Sequence, residues 1–221
     1  MKFGCILFDL DGTLVDSQAD LVFAVNLMLS DLGFKTLPHE QIVSFVGEGM
    51  LKLVERALKV SISKPLSQLE LDAAMNIFLE HYRAHFLDRT VAYPGTVKAL
   101  RYLSALPLGV VTNKPYDFTM AILTGLGLDH FFKTILGGDS VPERKPSPVP
   151  LLNAAAQCHI IPSECLMIGD TRIDIIAGKA AGMKTAGFAG GFRGRAELEA
   201  AGADYIFDHY DELLHKVNFE F

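Results

Sequence analysis

The chain has 221 residues, of which 50% are hydrophobic and 21% charged, and its formal net charge is -6. That is enough apolar material for one large domain, or for a core domain with a small insert. No basic residues gather into a stripe, which argues against a nucleic-acid partner.

The chain opens Met1-Lys2-Phe3-Gly4-Cys5-Ile6-Leu7-Phe8-Asp9. Asp9 cuts the apolar run too early for a secretory signal. The most apolar stretch, Leu21 to Leu29, is far short of a membrane span and contains Asn26, so no membrane partner is expected. Cys5, Cys158 and Cys165 form no CxxC pair. This usage fits a reduced, cytoplasmic compartment with the three thiols serving as buried small hydrophobes.

Short apolar runs predict strands at Phe3–Phe8, Leu108–Val111, Thr134–Leu136, Cys165–Ile168, Lys184–Phe188 and Tyr205–Phe207. Helical patterns lie between most of them. The alternation predicts an α/β fold: a three-layer, Rossmann-like core whose parallel sheet is covered on both faces. From Ser17 to about Phe86 the strand pattern disappears. Leu21, Val25, Met28, Leu29 and Leu32 recur at helical spacing, with Ser17 as expected N-cap and Gly33 as stop. Further stripes follow at Leu51, Val54 and Leu58, and at Leu71, Met75, Phe78, Tyr82 and Phe86. An all-helical insert of residues 16–87 within a core of 1–15 and 88–221 is expected, with Pro94-Gly95 marking the return.

Four short segments carry chemistry. In Phe8-Asp9-Leu10-Asp11-Gly12-Thr13 an apolar strand runs into two carboxylates on one side of extended chain, and Gly12 permits a turn. In Val110-Val111-Thr112-Asn113-Lys114-Pro115 a strand ends in a hydroxyl and backbone donors, which suit a phosphoryl oxygen. In Glu143-Arg144-Lys145-Pro146-Ser147-Pro148 two prolines hold Lys145 on an extended loop. In Gly169-Asp170-Thr171-Arg172-Ile173-Asp174 a strand ends in one acid, and a second follows at helical spacing. Each alone has an ordinary reading as a turn, a helix cap or a solvated lysine. Together they put Asp9, Thr112 and Asp170 at the carboxyl ends of three strands, where open α/β sheets bind ligands. Carboxylates gathered there repel unless cations are present. A divalent metal and Lys145 answer that need, and oxygen-only ligands favour Mg²⁺ over Zn²⁺.

These segments, in this order, resemble the haloacid dehalogenase-like superfamily of phosphotransferases, and the helical insert resembles its cap. Within it, Thr112-Asn113-Lys114-Pro115, the opening Phe8 to Ser17, and Phe45-Val46-Gly47-Glu48-Gly49 are most similar to the phosphoglycolate phosphatases. Thr171 departs from the usual Ser or Asn, with little consequence expected. The resemblance implies an Mg²⁺-dependent phosphatase acting on a small phosphorylated metabolite such as 2-phosphoglycolate. Asp9 would be the nucleophile, and Asp11 would exchange protons with the leaving oxygen and then with water. Thr112, Asn113 and Lys145 would hold the phosphoryl group. Asp9, Asp170 and the backbone carbonyl of Asp11 would bind the metal, leaving the Asp11 side chain free. Asp174 would orient Lys145 or a metal-bound water, with the cap closing over the site. Arg56, Lys52 and the amides around Gly47 and Gly49 are candidates for a substrate carboxylate.

Other readings are hydrolysis of a sugar phosphate or pyrophosphate, a β-phosphoglucomutase-like phosphomutase, and a non-catalytic binding module of the same fold. A monomer or a homodimer is compatible with the sequence. His81 and His85 lack the Glu of a zinc-protease helix and are expected to be ordinary surface residues. The Gly190-Gly191-Phe192-Arg193-Gly194-Arg195 stretch lacks a phosphate-loop spacing and is expected to be a loop after a strand, with Arg193 able to reach a substrate anion. Phe219 and Phe221 are either frayed or packed on a partner.

Overall fold

The computed structural model describes residues 3–62 and 64–217, so Phe219 and Phe221 lie outside it. β1 (Cys5–Phe8) is buried along its whole length. Both faces of the sheet are covered there, so the strand is an unbroken apolar run instead of an alternating one. Next come β2 (Val15–Asp16), α1 (Gln18–Asp31), α2 (His39–Val43), α3 (Met50–Ser61), α4 (Gln68–His85) and β3 (Val91–Ala92). α5 (Thr96–Leu103), β4 (Leu108–Val111), α6 (Tyr116–Gly125), β5 (Thr134–Leu136), α7 (Val149–Cys158) and β6 (Cys165–Gly169) follow. The chain finishes with α8 (Arg172–Ala180), β7 (Lys184–Phe188), α9 (Arg195–Ala200), β8 (Tyr205–Phe207) and α10 (Tyr210–Lys216).

The six-stranded sheet has the order β5-β4-β1-β6-β7-β8, and its paired strands run parallel. The chain therefore adopts the expected α/β architecture, with helices on both sides of the sheet. β1 lies between β4 and β6, with Phe8 in register with Val110 on one side and Ile168 on the other. The chain adds strands first to one side of β1 and then to the other. The crevice beyond the carboxyl ends of these three strands is the switch point where such sheets bind ligands. Helix α7 packs on β1, β4 and β5, and α8 on β6 and β7. Cys5, Leu7, Val111 and Met167 share one core cluster with Leu151, Ala154, Ala155 and Cys158 of α7. The cysteines are buried free thiols, as expected.

The chain divides into two compact units, Met1–Asp16 with Ala92–Phe221, and Ser17–Val91. In the helical unit, Leu21, Val25, Met28 and Leu29 form the buried stripe of α1. Gly33 closes that helix in the left-handed region, at φ 75°, where a side chain would be strained. Ser17 stands at the N-cap position of α1, but its side chain makes no capping hydrogen bond. By contrast α4 opens with a reciprocal capping box between Ser67 and Glu70. His81 and His85 bond to Asp31 and Asp88 at 2.6 and 2.7 Å on exposed surface. Arg56 donates to the Phe45 carbonyl at 3.0 Å and pairs with Glu48, and Lys52 pairs with Glu55 at 2.7 Å. Both candidate cations for a substrate carboxylate thus have partners in their own unit. Among the described residues no helix is long and apolar enough to cross a membrane.

Candidate active site

The end of β1 delivers Asp9, whose N–H donates to the Ile168 carbonyl of β6 at 2.9 Å. The end of β6 delivers Asp170, and the first turn of α8 delivers Asp174. Carboxylate oxygens of Asp9, Asp170 and Asp174 lie within 4.8 Å of one another, and all three residues are buried. Lys145 reaches into this group from the loop before α7. Its Nζ donates to Asp174 Oδ1 at 2.6 Å and stands 2.9 Å from Asp9 Oδ1. The second contact is an ion pair, and Asp9 Oδ1 is a buried oxygen without a hydrogen-bond partner.

The oxygens of Asp170 and Asp174 all have holders. Asp170 Oδ1 accepts from the Thr13 hydroxyl at 3.1 Å and Oδ2 from the Phe192 N–H at 2.8 Å. Asp174 Oδ2 accepts the N–H and hydroxyl of Thr171 at 3.1 and 2.8 Å. Thr171 is therefore the N-cap of α8, and Asp174 is both its capping-box acid and the anchor of Lys145.

Space around Asp170 is made by two glycines. A Cβ on Gly12 would stand 2.3 Å from Asp170 Oδ2, and one on Gly191 2.3 Å from Asp170 Cβ. Gly12 also turns at φ 85°, so its lack of a side chain serves both conformation and close approach. The Gly190–Arg195 stretch, expected to be only a loop after a strand, forms one wall of this group through Gly191 and Phe192. The Arg193 guanidinium lies 4.0 Å from Glu197.

Burial pushes Asp9 up to about 6; the Lys145 ammonium opposes this and the Asp174 carboxylate adds to it. Burial, with Asp174 and Asp9 alongside, pushes Asp170 well above the usual carboxylate range. Burial also works against the proton of Lys145, but Asp174 and Asp9 outweigh it and hold the lysine above its ordinary value. Three clustered carboxylates against one ammonium leave an excess of negative charge out of water, which is costly unless further positive charge enters. The donors are hard oxygens, and one is a buried orphan, so a divalent cation fits here.

Asp11 lies apart from this cluster. Lys114 Nζ donates to both its oxygens, at 3.0 and 2.9 Å, so the side chain expected to stay off the metal has an ammonium beside it. Three of the four grouped acids therefore meet at one point, and the fourth is held by a lysine of its own. At the end of β4, Thr112 is buried and its hydroxyl accepts the Lys114 N–H at 3.3 Å. The Asn113 side chain donates to the Lys145 carbonyl at 2.9 Å, tying the lysine loop to β4. Lys114 and this use of Asn113 were missed at the level of sequence. Their one signal was position, in the motif that ends β4.

A switch-point crevice lined by an aspartate pair, a buried lysine and two further acids defines a class. The chain belongs to the haloacid dehalogenase-like hydrolases, whose family pattern matches residues 6–188. It is a hydrolase of that family, and its relatives narrow the description. It is 41% identical over 213 residues to the phosphoglycolate phosphatase of Colwellia psychrerythraea, covering 95% of this chain and 94% of that one. To the phosphoglycolate phosphatase of Neisseria meningitidis it is 40% identical, covering 94% and 91%. The crystal structure of a predicted phosphoglycolate phosphatase from Haemophilus somnus superposes with a TM-score of 0.92 at 32% identity, covering 97% of this chain and 98% of the other.

Proposed function

We propose that the protein is an Mg²⁺-dependent phosphatase that hydrolyses 2-phosphoglycolate by way of a phosphoryl group carried on Asp9. The observation that carries this reading is the Asp9 Oδ1 atom: buried, without a hydrogen bond, and 2.9 Å from the Lys145 ammonium. An oxygen so placed is available to attack phosphorus, and the lysine beside it draws in the anionic phosphoryl group. The names of the relatives support the substrate.

Asp9 attacks in its ionised form. An Asp9 oxygen–phosphorus bond forms as the bond from phosphorus to the glycolate oxygen breaks. Asp11 gives its proton to that departing oxygen, then takes one from the water that attacks the phospho-aspartate and restores Asp9. The Thr112 hydroxyl, the Asn113 backbone N–H and Lys145 hold the phosphoryl oxygens, and Asp174 keeps Lys145 in place. Asp9, Asp170 and the Asp11 carbonyl would hold Mg²⁺, which when bound supplies positive charge that screens carboxylate from phosphate. Three buried free thiols support a reducing, cytoplasmic setting.

The test is release of inorganic phosphate from 2-phosphoglycolate, a sugar phosphate and pyrophosphate at fixed Mg²⁺. The highest kcat/KM is expected for 2-phosphoglycolate, with loss of turnover on chelation. Asp9→Asn should lower turnover by about a thousandfold or more, the scale of losing a covalent nucleophile. A preference for another ester would overturn the substrate, and near-wild-type Asp9→Asn would overturn the mechanism.

A further inference from the structure

Lys114 is a second buried cation at this sheet edge, and the reaction described above gives it no work. It follows Thr112 by two residues, in the turn between β4 and α6. β4 lies beside β1 in parallel register, so the residues just past their ends meet. Lys114 Nζ donates to Asp11 Oδ1 at 3.0 Å and to Oδ2 at 2.9 Å, across 103 residues of sequence. Its side chain is 1% exposed while that of Asp11 is 14% exposed. The ammonium is sealed in and the carboxylate keeps the open edge. Two N–H groups of one ammonium on two oxygens of one carboxylate fix both the position of Asp11 and the plane of its carboxylate. The two lysines divide the two acids that follow β1 between them: Lys145 stands on Asp9, and Lys114 on Asp11.

We infer that Lys114 is the positioning residue for Asp11, aiming its carboxyl group at the oxygen that leaves the phosphorus. This rests on the reading above that Asp11 exchanges protons with that oxygen. A proton donor works only within hydrogen-bond reach and at the right angle, and a small misplacement is enough to remove most of its effect. A lysine that merely filled space or balanced charge would serve every substrate alike. One that aims a proton donor matters in proportion to the leaving group's need for a proton. Glycolate departs from phosphorus as an alkoxide and needs one. p-Nitrophenol departs as a stable phenolate and does not.

The experiment compares kcat/KM for 2-phosphoglycolate and p-nitrophenyl phosphate, with Mg²⁺ present, in wild type, Lys114→Met, Asp11→Asn and the double variant. kcat/KM covers only the steps up to loss of the leaving group, so the later attack by water does not blur the comparison. Lys114→Met should cost about a hundredfold on 2-phosphoglycolate and about threefold or less on p-nitrophenyl phosphate, the size of a misplaced reacting group. Asp11→Asn should show the same selectivity, and the double variant should be no worse than Asp11→Asn alone, because the two residues act as one unit. Should Lys114→Met fail to fold, Lys114→Gln carries the same test.

Equal losses on both substrates, or losses that multiply in the double variant, would overturn the inference. Asp11→Asn with full activity on 2-phosphoglycolate would instead overturn the acid–base reading on which it rests.

Discussion

In the helical unit, Asp20 is fully buried, and its carboxylate accepts the N–H groups of Arg89 and Thr90 and the Thr90 hydroxyl, the last two at 2.8 Å. The Arg89 guanidinium stands 3.8 Å away. At the sheet edge, Asp170 is just as buried but has one donor on each oxygen and two other carboxylates beside it, and Asp9 Oδ1 has no hydrogen bond. The difference separates two uses of a buried acid. Full donors and a nearby cation make Asp20 a tie that pins the start of α1 to the chain at Arg89 and Thr90. Fewer donors and neighbouring like charges make Asp9 and Asp170 part of a group that added positive charge would stabilise. Burial alone does not mark function; burial with unmet demand does.

This contrast can be broken at both ends. The largest effect is expected from Asp20→Ala, which strands several buried donors. It should cost about 3 kcal/mol or more of stability in urea unfolding. Its kcat/KM, measured on folded protein, should stay within about threefold of wild type, because the tie carries no chemistry. A loss below about 1 kcal/mol, the worth of one ordinary hydrogen bond, would mean that Asp20 is not the tie described.

The opposite sign is expected at Asp9 without metal. Its folded value of about 6 lies above the ordinary 3.8, so between those values the folded chain binds more protons than the unfolded one. Stability contributed at this position therefore rises as pH falls through about 6, and is withheld at neutral pH. In metal-free protein at pH near 7, Asp9→Asn should raise Tm by roughly 3 °C or more, a change on the order of 1 kcal/mol in a chain of this size. The gap between variant and wild type should shrink when the melts are repeated near pH 5, and Mg²⁺ should close it by stabilising wild type alone. A variant that melts below wild type without metal would end the distinction. The smallest effect belongs to exposed pairs. Glu55 sits between Lys52 and Lys59 at 2.7 and 2.6 Å, and Glu55→Gln should shift stability by less than about 0.5 kcal/mol.

Much of this was legible in the chain because a sheet buried on both faces writes its strands as apolar runs. Leu108–Val111, Thr134–Leu136, Lys184–Phe188 and Tyr205–Phe207 begin and end where those runs do. The first begins at Cys5, since Phe3 and Gly4 precede the ladder, and the fourth extends to Gly169. Parallel strands finish on one edge, so an acid or hydroxyl following each run is placed beside the others by topology alone. Pairings between edges left no local trace. Nothing around Asp11 announces Lys114, and nothing around Lys145 announces Asn113. Gly191 and Phe192 stand in a stretch whose spacing suits no phosphate loop, yet a glycine pair just after a strand on that edge is a clue to close approach. Asp20 sits in the first turn of a helix whose apolar stripe gives no sign of its role, and Ser17, at the N-cap position, makes no capping hydrogen bond.

One carboxylate, that of Asp174, both starts α8 and moors Lys145. Secondary structure and the buried ammonium therefore share a single hinge pin. Loss of that carboxylate would remove the capping box of α8 and one of the two acids that flank the Lys145 ammonium, Asp9 being the other. The start of one helix and the placement of a buried lysine on another loop are thus fixed by the same side chain.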